Sequence, residues 1–195
     1  LTQDVITKAE LRDCLEKYGF DKTTGIYDGV IKEVSGKDTK YEKKGTIDFN
    51  YPIEVASAAF GQGISTNVVQ QLQGLTIISN NGKMLKPYII DKIVDTNTNK
   101  TIYQNKISES DRVISDSTVS KIKDLMYSVV NGPTGTGSYY RIDGYDIIGK
   151  TGTAQVYNNK TNSYSSTIYI SSFAGMFPKD DPEIIIYTAT KTSST

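Results

Sequence analysis

The last fifty residues constrain the fold more tightly than any other stretch of this chain. Three runs of strand-like composition, about Asp146 to Tyr157, Thr167 to Phe177 and Glu183 to Thr190, are separated by NNKTNS and PKDDP. Connections this short and this rich in turn formers make consecutive strands antiparallel neighbours, so the chain ends in a three-stranded meander. The first of these strands carries an anomaly. Residues 147 to 157 read IIGKTGTAQVY, and Lys150, Thr151 and Thr153 set a cation and two hydroxyls near the middle of a strand with apolar flanks. Something polar should lie against it.

The remaining segments read as helices and a hairpin. Thr7-Lys8-Ala9-Glu10 has the form of a capping box, followed by Leu11, Cys14, Leu15 and Tyr18 at helical spacing and Gly19 as a stop. From Asp28 to Asn50 the pattern dissolves into Gly, Lys, Glu and Asp and predicts a long solvated excursion. Pro52 opens IEVASAAFG. After a GQG turn, a helix from about Asn67 to Ile78 carries Val68, Val69, Leu72 and Leu75 on one side and ends at Asn80-Asn81-Gly82. Tyr88 to Asp95 and Lys100 to Gln104 predict a hairpin about the polar turn Thr96 to Asn99. Ser115 to Ser117 can cap a helix with Val119, Ile122, Leu125, Met126, Val129 and Val130 as its apolar stripe, ending at Asn131-Gly132. Helices flanking an antiparallel sheet give a mixed α/β (α+β) class.

Composition narrows the chemistry. The 195 residues, 37% of them hydrophobic, suffice for one large domain or a slice of a larger one. Lys+Arg and Asp+Glu balance at 22 each, which leaves no basic excess to attract nucleic acid. The chain contains no histidine, so the commonest general base, the commonest zinc ligand and every Ser-His or Cys-His pair are excluded. Any proton traffic falls to lysine or a carboxylate. No metal or cofactor is expected. The lone Cys14 reads as a small core residue. No stretch approaches the length of a membrane span and no signal peptide opens the chain, which begins at Leu1 and reads as a fragment.

Four short motifs compete for a chemical role. GPTGTGS, residues 132 to 138, approaches a phosphate-binding loop but has Ser138 where a lysine is needed, and is followed by a strand; it reads as a plain mobile glycine loop. Ser120-Lys121-Ile122-Lys123 fits Ser-x-x-Lys, yet it lies inside an amphipathic helix and reads as its polar surface. Ser79-Asn80-Asn81 spells Ser-x-Asn where a helix needs a terminator, and a C-cap explains it. Lys150-Thr151-Gly152-Thr153 is different. Glycine weakens a strand, and its place between threonines predicts close approach of another backbone or a ligand, with a cation and two hydroxyls at hand for a carboxylate. A ligand role outweighs an accident of an edge strand.

With these residues assembled, the sequence resembles the penicillin-binding transpeptidases, most closely the monofunctional class B enzymes, whose Lys-Thr-Gly signature is matched at Lys150-Thr151-Gly152. AFGQGISTNVVQQLQGLTIISNNGKMLKPYII, residues 59 to 90, is similar to the family's run of GQG turn, helix, Asn-Gly and Pro, at the expected distance before KTGTAQ. YGFDKTTGI, residues 18 to 26, resembles the segment after the family's middle motif, GPTGTGS occupies the place of its glycine loop, and YISSFAGMFPKDDPEIIIYTA is similar to its last two strands. The resemblance covers nearly the whole chain. The acylatable Ser-x-x-Lys and the Ser-x-Asn of a complete member belong before the first residue here, and the family's terminal helix after the last strand is also missing. Residues 1 to 195 therefore correspond to the C-terminal part of a single transpeptidase domain.

The resemblance implies the antiparallel sheet of the penicillin-binding and serine β-lactamase fold, flanked by helices and incomplete in this chain. It also implies that the intact parent is a serine-type peptidoglycan D,D-transpeptidase, the target of β-lactam antibiotics, and that this chain alone lacks the nucleophile. Lys150 supplies positive charge near the substrate carboxylate, Thr151 and Thr153 hydrogen-bond that carboxylate, and Gly152 lets substrate lie along the strand. The amide of Thr153 completes an oxyanion hole, and Ala154 and Gln155 extend the binding strand. Implied partners are stem peptides, β-lactams and cell-wall synthesis proteins of the division or elongation machinery, with the catalytic domain on the extracytoplasmic face of a bacterial membrane. The rival expectations are a non-catalytic penicillin-binding-like module and a β-lactam sensor domain.

Overall fold

The computed structural model describes residues 6–27, 42–158 and 161–192. Its first helix, α1 (Lys8–Lys17), begins as the sequence dictates. The Thr7 hydroxyl accepts from the Glu10 amide at 3.3 Å, and the Glu10 carboxylate takes the Thr7 amide at 2.8 Å, which satisfies two orphan donors of the first turn reciprocally. Those hydrogen bonds, the backbone one first, hold the Glu10 carboxyl below the ordinary glutamate range. Cys14 is half-buried and free.

Helix α2 (Pro52–Ala58) starts on proline, with the Glu54 carboxylate taking the amides of Asn50 and Tyr51 at 2.5 and 2.7 Å. Together α1, α2 and the segment from 42 to 50 enclose a first core of Ile47, Phe49 and Val55, lined by Leu11, Leu15, Phe20, Ala58 and Ile64. This corrects the expected solvated excursion. Its residues 28–41 lie outside the described residues, but Ile47 and Phe49 return to the interior, and Ile47 bridges Ile64 as residues 46 and 65 exchange backbone hydrogen bonds of 3.0 and 3.1 Å.

Helix α3 (Val68–Ser79) runs where the sequence places it, but buries a different face. Val68 is 51% exposed, whereas Gln70, Gln73 and Ile77 are buried. The cause is hydrogen bonding. The Gln70 side chain, 1% exposed, accepts from the amides of Gly45 and Asn67, each at 3.0 Å, and donates to the Lys22 carbonyl at 2.8 Å, tying three segments to one amide group. The helix ends at Asn80, and Ser79 donates back to the Thr76 carbonyl, as a C-cap requires.

Two strands were not expected: β1 (Lys83–Leu85) and β4 (Glu109–Arg112), an antiparallel pair clamped by a Lys83–Glu109 ion pair. Between them, β2 (Lys92–Asp95) and β3 (Lys100–Gln104) form the predicted hairpin, its first strand beginning four residues later than Tyr88. Asp95 holds the turn by accepting from the Asn97 amide and the Thr98 hydroxyl, each at 2.8 Å.

Helix α4 (Asp116–Asn131) is capped by Ser115 and packs on the terminal sheet. That sheet is the expected meander: β5 (Ile148–Asn158), β6 (Ser163–Phe177) and β7 (Ile184–Thr192), antiparallel in the order β5-β6-β7. Ile148 faces Met176, which faces Ile185, and this row closes under α3 and α4 against Met126, with Leu75, Ile78, Ile122 and Tyr127 around it. Burial of such side chains is worth roughly 1.5–3 kcal/mol each, which fixes the sheet's register against the helices. On α4, Leu125 is 68% exposed and Lys123 only 6%, the reverse of the expected stripe at both positions. Lys123 turns inward because its ammonium donates to the Asp180 carbonyl in the β6–β7 turn at 2.8 Å.

Candidate active site

Strand β5 carries Lys150 to Gln155 along the rim of the sheet. Among the described residues it pairs with β6 alone, so its other edge presents unpaired backbone groups. The register places Lys150 opposite Ala174, Thr151 opposite Phe173, Gly152 opposite Ser172, Thr153 opposite Ser171, Ala154 opposite Ile170 and Gln155 opposite Tyr169. A bulge follows between Gln155 and Tyr157, after which pairing resumes in a shifted register with Tyr157 opposite Tyr164 and Asn158 opposite Ser163. Lys150, Thr153 and Gln155 are exposed, and Thr151, Gly152 and Ala154 half-buried.

Strand alternation divides the set. Lys150, Gly152 and Ala154 share the face of Ile148, toward the helices, while Thr151, Thr153 and Gln155 share the opposite face with Gly149. At the free edge, residues of both faces are within reach together. The Lys150 ammonium folds onto the Thr151 carbonyl at 2.7 Å, and so lies along the strand backbone.

Phe173 explains the glycine before the lysine. Its ring lies over the sheet where side chains on residues 149 and 175 would stand: a Cβ built on Gly149 comes 2.4 Å from the ring, and one on Gly175 comes 2.6 Å from it. The outer side of the ring is covered by Tyr140, stacked at 3.7 Å with an interplanar angle of 6°. Gly152 is different. A Cβ there meets only the Ser172 hydroxyl at 2.6 Å within 3.4 Å, and a hydroxyl can rotate away.

The glycine loop after α4 reaches this site. Its amides are anchored: Gly137 donates to the Val129 carbonyl at 2.9 Å and Gly135 to that of Gly132 at 3.1 Å. A short 3-10 turn, Ser138–Tyr140, then delivers Tyr140 to Phe173. The expectation of a mobile loop is thereby corrected to a docked one. Within it the Thr136 hydroxyl lies 2.8 Å from that of Thr151. Nothing in the spacing of GPTGTGS announced that contact, since it joins residues 15 apart through the turn of the loop.

The hydrogen bonds of the two decoy motifs lead away from β5: Ser79 bonds to Thr76, Asn80 to Lys83 and Glu109, and Lys123 to Asp180. Ser120 is exposed, and no hydrogen bond joins it to Lys123, whose ammonium is committed to Asp180; a cavity of about 230 Å³ beside them is lined also by Asp116, Asp124 and Lys179. Among the described residues no group of three or more His, Cys, Asp or Glu is placed to hold a metal ion, and no helix is long and apolar enough to cross a membrane.

The docked glycine loop, the KTGT edge strand and the helices on the sheet fit the penicillin-binding type of fold that the sequence resemblance implies, and comparison with known proteins agrees. Residues 1–194 match the penicillin binding protein transpeptidase domain, and the chain belongs to that family. Stage V sporulation protein D of Bacillus subtilis is 34% identical over 182 residues, covering 93% of this chain and 26% of that protein. Penicillin-binding protein PbpB of Mycolicibacterium smegmatis is 31% identical over 180 residues, covering 89% and 26%. Penicillin binding protein 2X from Streptococcus thermophilus superposes with a TM-score of 0.80 at 28% identity over 96% of this chain and 27% of its own. The fold is shared with Mycobacterium tuberculosis penicillin binding protein 3, solved with ampicillin, at a TM-score of 0.82 and 24% identity over 96% of this chain and 40% of that one. The chain thus spans about a quarter of the length of the sequence relatives.

Proposed function

We propose that the polypeptide to which this chain belongs is a serine-type peptidoglycan D,D-transpeptidase, with this chain as the C-terminal part of its transpeptidase domain. The observation that carries the reading is the KTGT segment on an open strand edge, within a chain matched over almost its full length to the transpeptidase family. In the reaction, a serine elsewhere in the polypeptide attacks the carbonyl of the penultimate D-alanine of a stem peptide. The acyl-ester forms as the terminal D-alanine leaves, and the amine of a neighbouring stem then attacks the ester, forming the cross-link and releasing the serine.

This chain's residues bind and orient. The edge of β5 accepts the extended stem as an added strand. Thr151 and Thr153 donate their hydroxyl protons to the terminal carboxylate from one face, and Lys150 contributes its charge from the other, free to leave the Thr151 carbonyl when an anion competes for it. Gly152 allows the stem's backbone to lie against the strand, the Thr153 amide donates to the developing oxyanion, and Ala154 and Gln155 prolong the contact. A β-lactam mimics the stem and acylates the same serine. The substrate places the domain on the extracytoplasmic face of a bacterial membrane, among the proteins that build the wall.

The test is covalent labelling of the full-length polypeptide by a fluorescent penicillin. Labelling that Lys150→Ala weakens at least about tenfold supports the reading, since a charge-assisted contact is worth roughly 1.5–3 kcal/mol. A folded full-length polypeptide that is never labelled returns the protein to a non-catalytic binding module. An adduct mapped to Ser120 or Ser79 overturns the site assignment.

A further inference from the structure

We infer that Thr136, in the glycine loop, is the positioning residue that aims the hydroxyl of Thr151 at a ligand carboxylate. The inference rests on the proposed role of Thr151 and adds a residue outside the KTGT strand. The two hydroxyl oxygens are 2.8 Å apart, a full hydrogen bond. Each carries one proton, and only one proton can lie between them. If Thr136 donates, the Thr151 oxygen is satisfied as an acceptor and its own proton is free to point outward. A carboxylate offers acceptors only, so its arrival selects that polarity, and the pair becomes a short relay: Thr136 to Thr151 to anion.

Without Thr136 the proton of the Thr151 hydroxyl loses the side-chain partner that orients it. Among the described residues no other side chain hydrogen-bonds it. Thr136 in turn is held at both ends of its loop. On one side Gly137 bonds to Val129 in the last turn of α4 and Gly135 to Gly132 just beyond it, so closely that a Cβ at residue 135 would come 2.2 Å from the Val129 carbonyl. On the other, Tyr140 stacks on Phe173, the cross-strand partner of Thr151 itself. Helix end, loop and sheet therefore close a ring of contacts with the two hydroxyls at its gap.

The experiment uses the full-length polypeptide and follows acylation by benzylpenicillin over a range of concentrations, which separates the dissociation constant from the acylation rate constant. Thr136→Val, nearly isosteric at an exposed site, is expected to raise the dissociation constant about tenfold while leaving the rate constant within about twofold. Thr136→Ser, which keeps the hydroxyl, is expected to restore the value to within about twofold. The methyl ester of the same penicillin, lacking the anion, should not distinguish Thr136→Val from the parent. Thr136→Val combined with Thr151→Val should bind no worse than Thr151→Val alone, because the first residue acts through the second. An unchanged dissociation constant in Thr136→Val, failure of serine to rescue, or effects that multiply in the double variant would overturn the inference. If Thr151→Val itself binds benzylpenicillin normally, the carboxylate role of Thr151 fails and takes this inference with it; if Thr151→Val is weakened and Thr136→Val is not, the inference alone fails.

Discussion

The ring of Phe173 occupies the space that a side chain at Gly149 would need, with a Cβ there only 2.4 Å from the ring and 2.8 Å from the Ala174 carbonyl. Gly149→Ala should therefore destabilise the chain by about 1–3 kcal/mol through overpacking, read from the midpoint of urea unfolding. Introducing Phe173→Leu as well should recover part of that loss, since the ring moves out of the way but the carbonyl does not. A Gly149→Ala variant as stable as the parent would mean that the ring does not rest there.

Gly152 and Ser172 separate a structural from a functional use of glycine. Gly152→Ala displaces only the Ser172 hydroxyl, so Ser172→Ala should remove the conflict and return the melting temperature to within about 1–2 °C of the parent, a few tenths of a kcal/mol for a chain of this size. Acylation of the full-length polypeptide by penicillin should nevertheless remain at least about tenfold slower in that double variant, because a misplacement of about 1 Å at the reacting carbonyl costs on the order of a hundredfold. Recovery of acylation together with stability would show that Gly152 serves Ser172 and not the ligand.

Gln70→Leu should cost at least about 2–3 kcal/mol. It strips partners from the amides of Gly45 and Asn67 and from the Lys22 carbonyl, and groups buried without hydrogen bonds lose roughly 1–3 kcal/mol each before the structure relaxes. Equilibrium denaturation measures it, and a near-neutral result would mean that water replaces the amide in full.

The β1–β4 pair should respond to acid. The Lys83 side chain, then Asn80, hydrogen-bonds the Glu109 carboxylate and holds its folded pKa below the ordinary glutamate range. A lowered folded value means that the contribution is fully present above the unfolded pKa and is lost as pH falls through the folded one. Amide exchange at Lys83 to Leu85, corrected for intrinsic rate, should thus lose protection only in that acidic window, and Glu109→Gln should abolish the pH dependence. Protection that falls instead near neutrality would contradict the assignment.

What could be read before the fold was known depended on how local the cause was. The capping box at Thr7, the Ser115 cap, the polar turn Thr96 to Asn99 and the three-strand ending are written in adjacent residues, and each formed as expected. Strands β1 and β4 were missed because KML and ESDR are short, without alternation or β-branched residues, and exist through pairing with each other. The buried faces of α3 and α4 were misread at Gln70 and Lys123 for one reason: distant backbone, at Gly45, Lys22 and Asp180, recruits polar side chains inward. At the candidate site, the polar run from Lys150 to Thr153 stood out as a break in pattern and lies on the edge strand β5, whereas the Thr136–Thr151 contact depends on how a loop folds back over a sheet.

The open edge of β5 has a cost in colloidal behaviour. A strand of 11 residues with an unpaired edge, proposed above to receive a stem peptide, will template any other extended chain equally well, including the same strand of another copy. Antiparallel pairing of two β5 edges about residue 150, which would put the KTGT segments of two copies together, sets two Lys150 ammonium groups opposite each other, and like charges across a strand pair repel. The lysine proposed to attract an anionic ligand is on this account also a gatekeeper against self-pairing in that register, so that neutralising it would cost recognition and solubility in the same substitution.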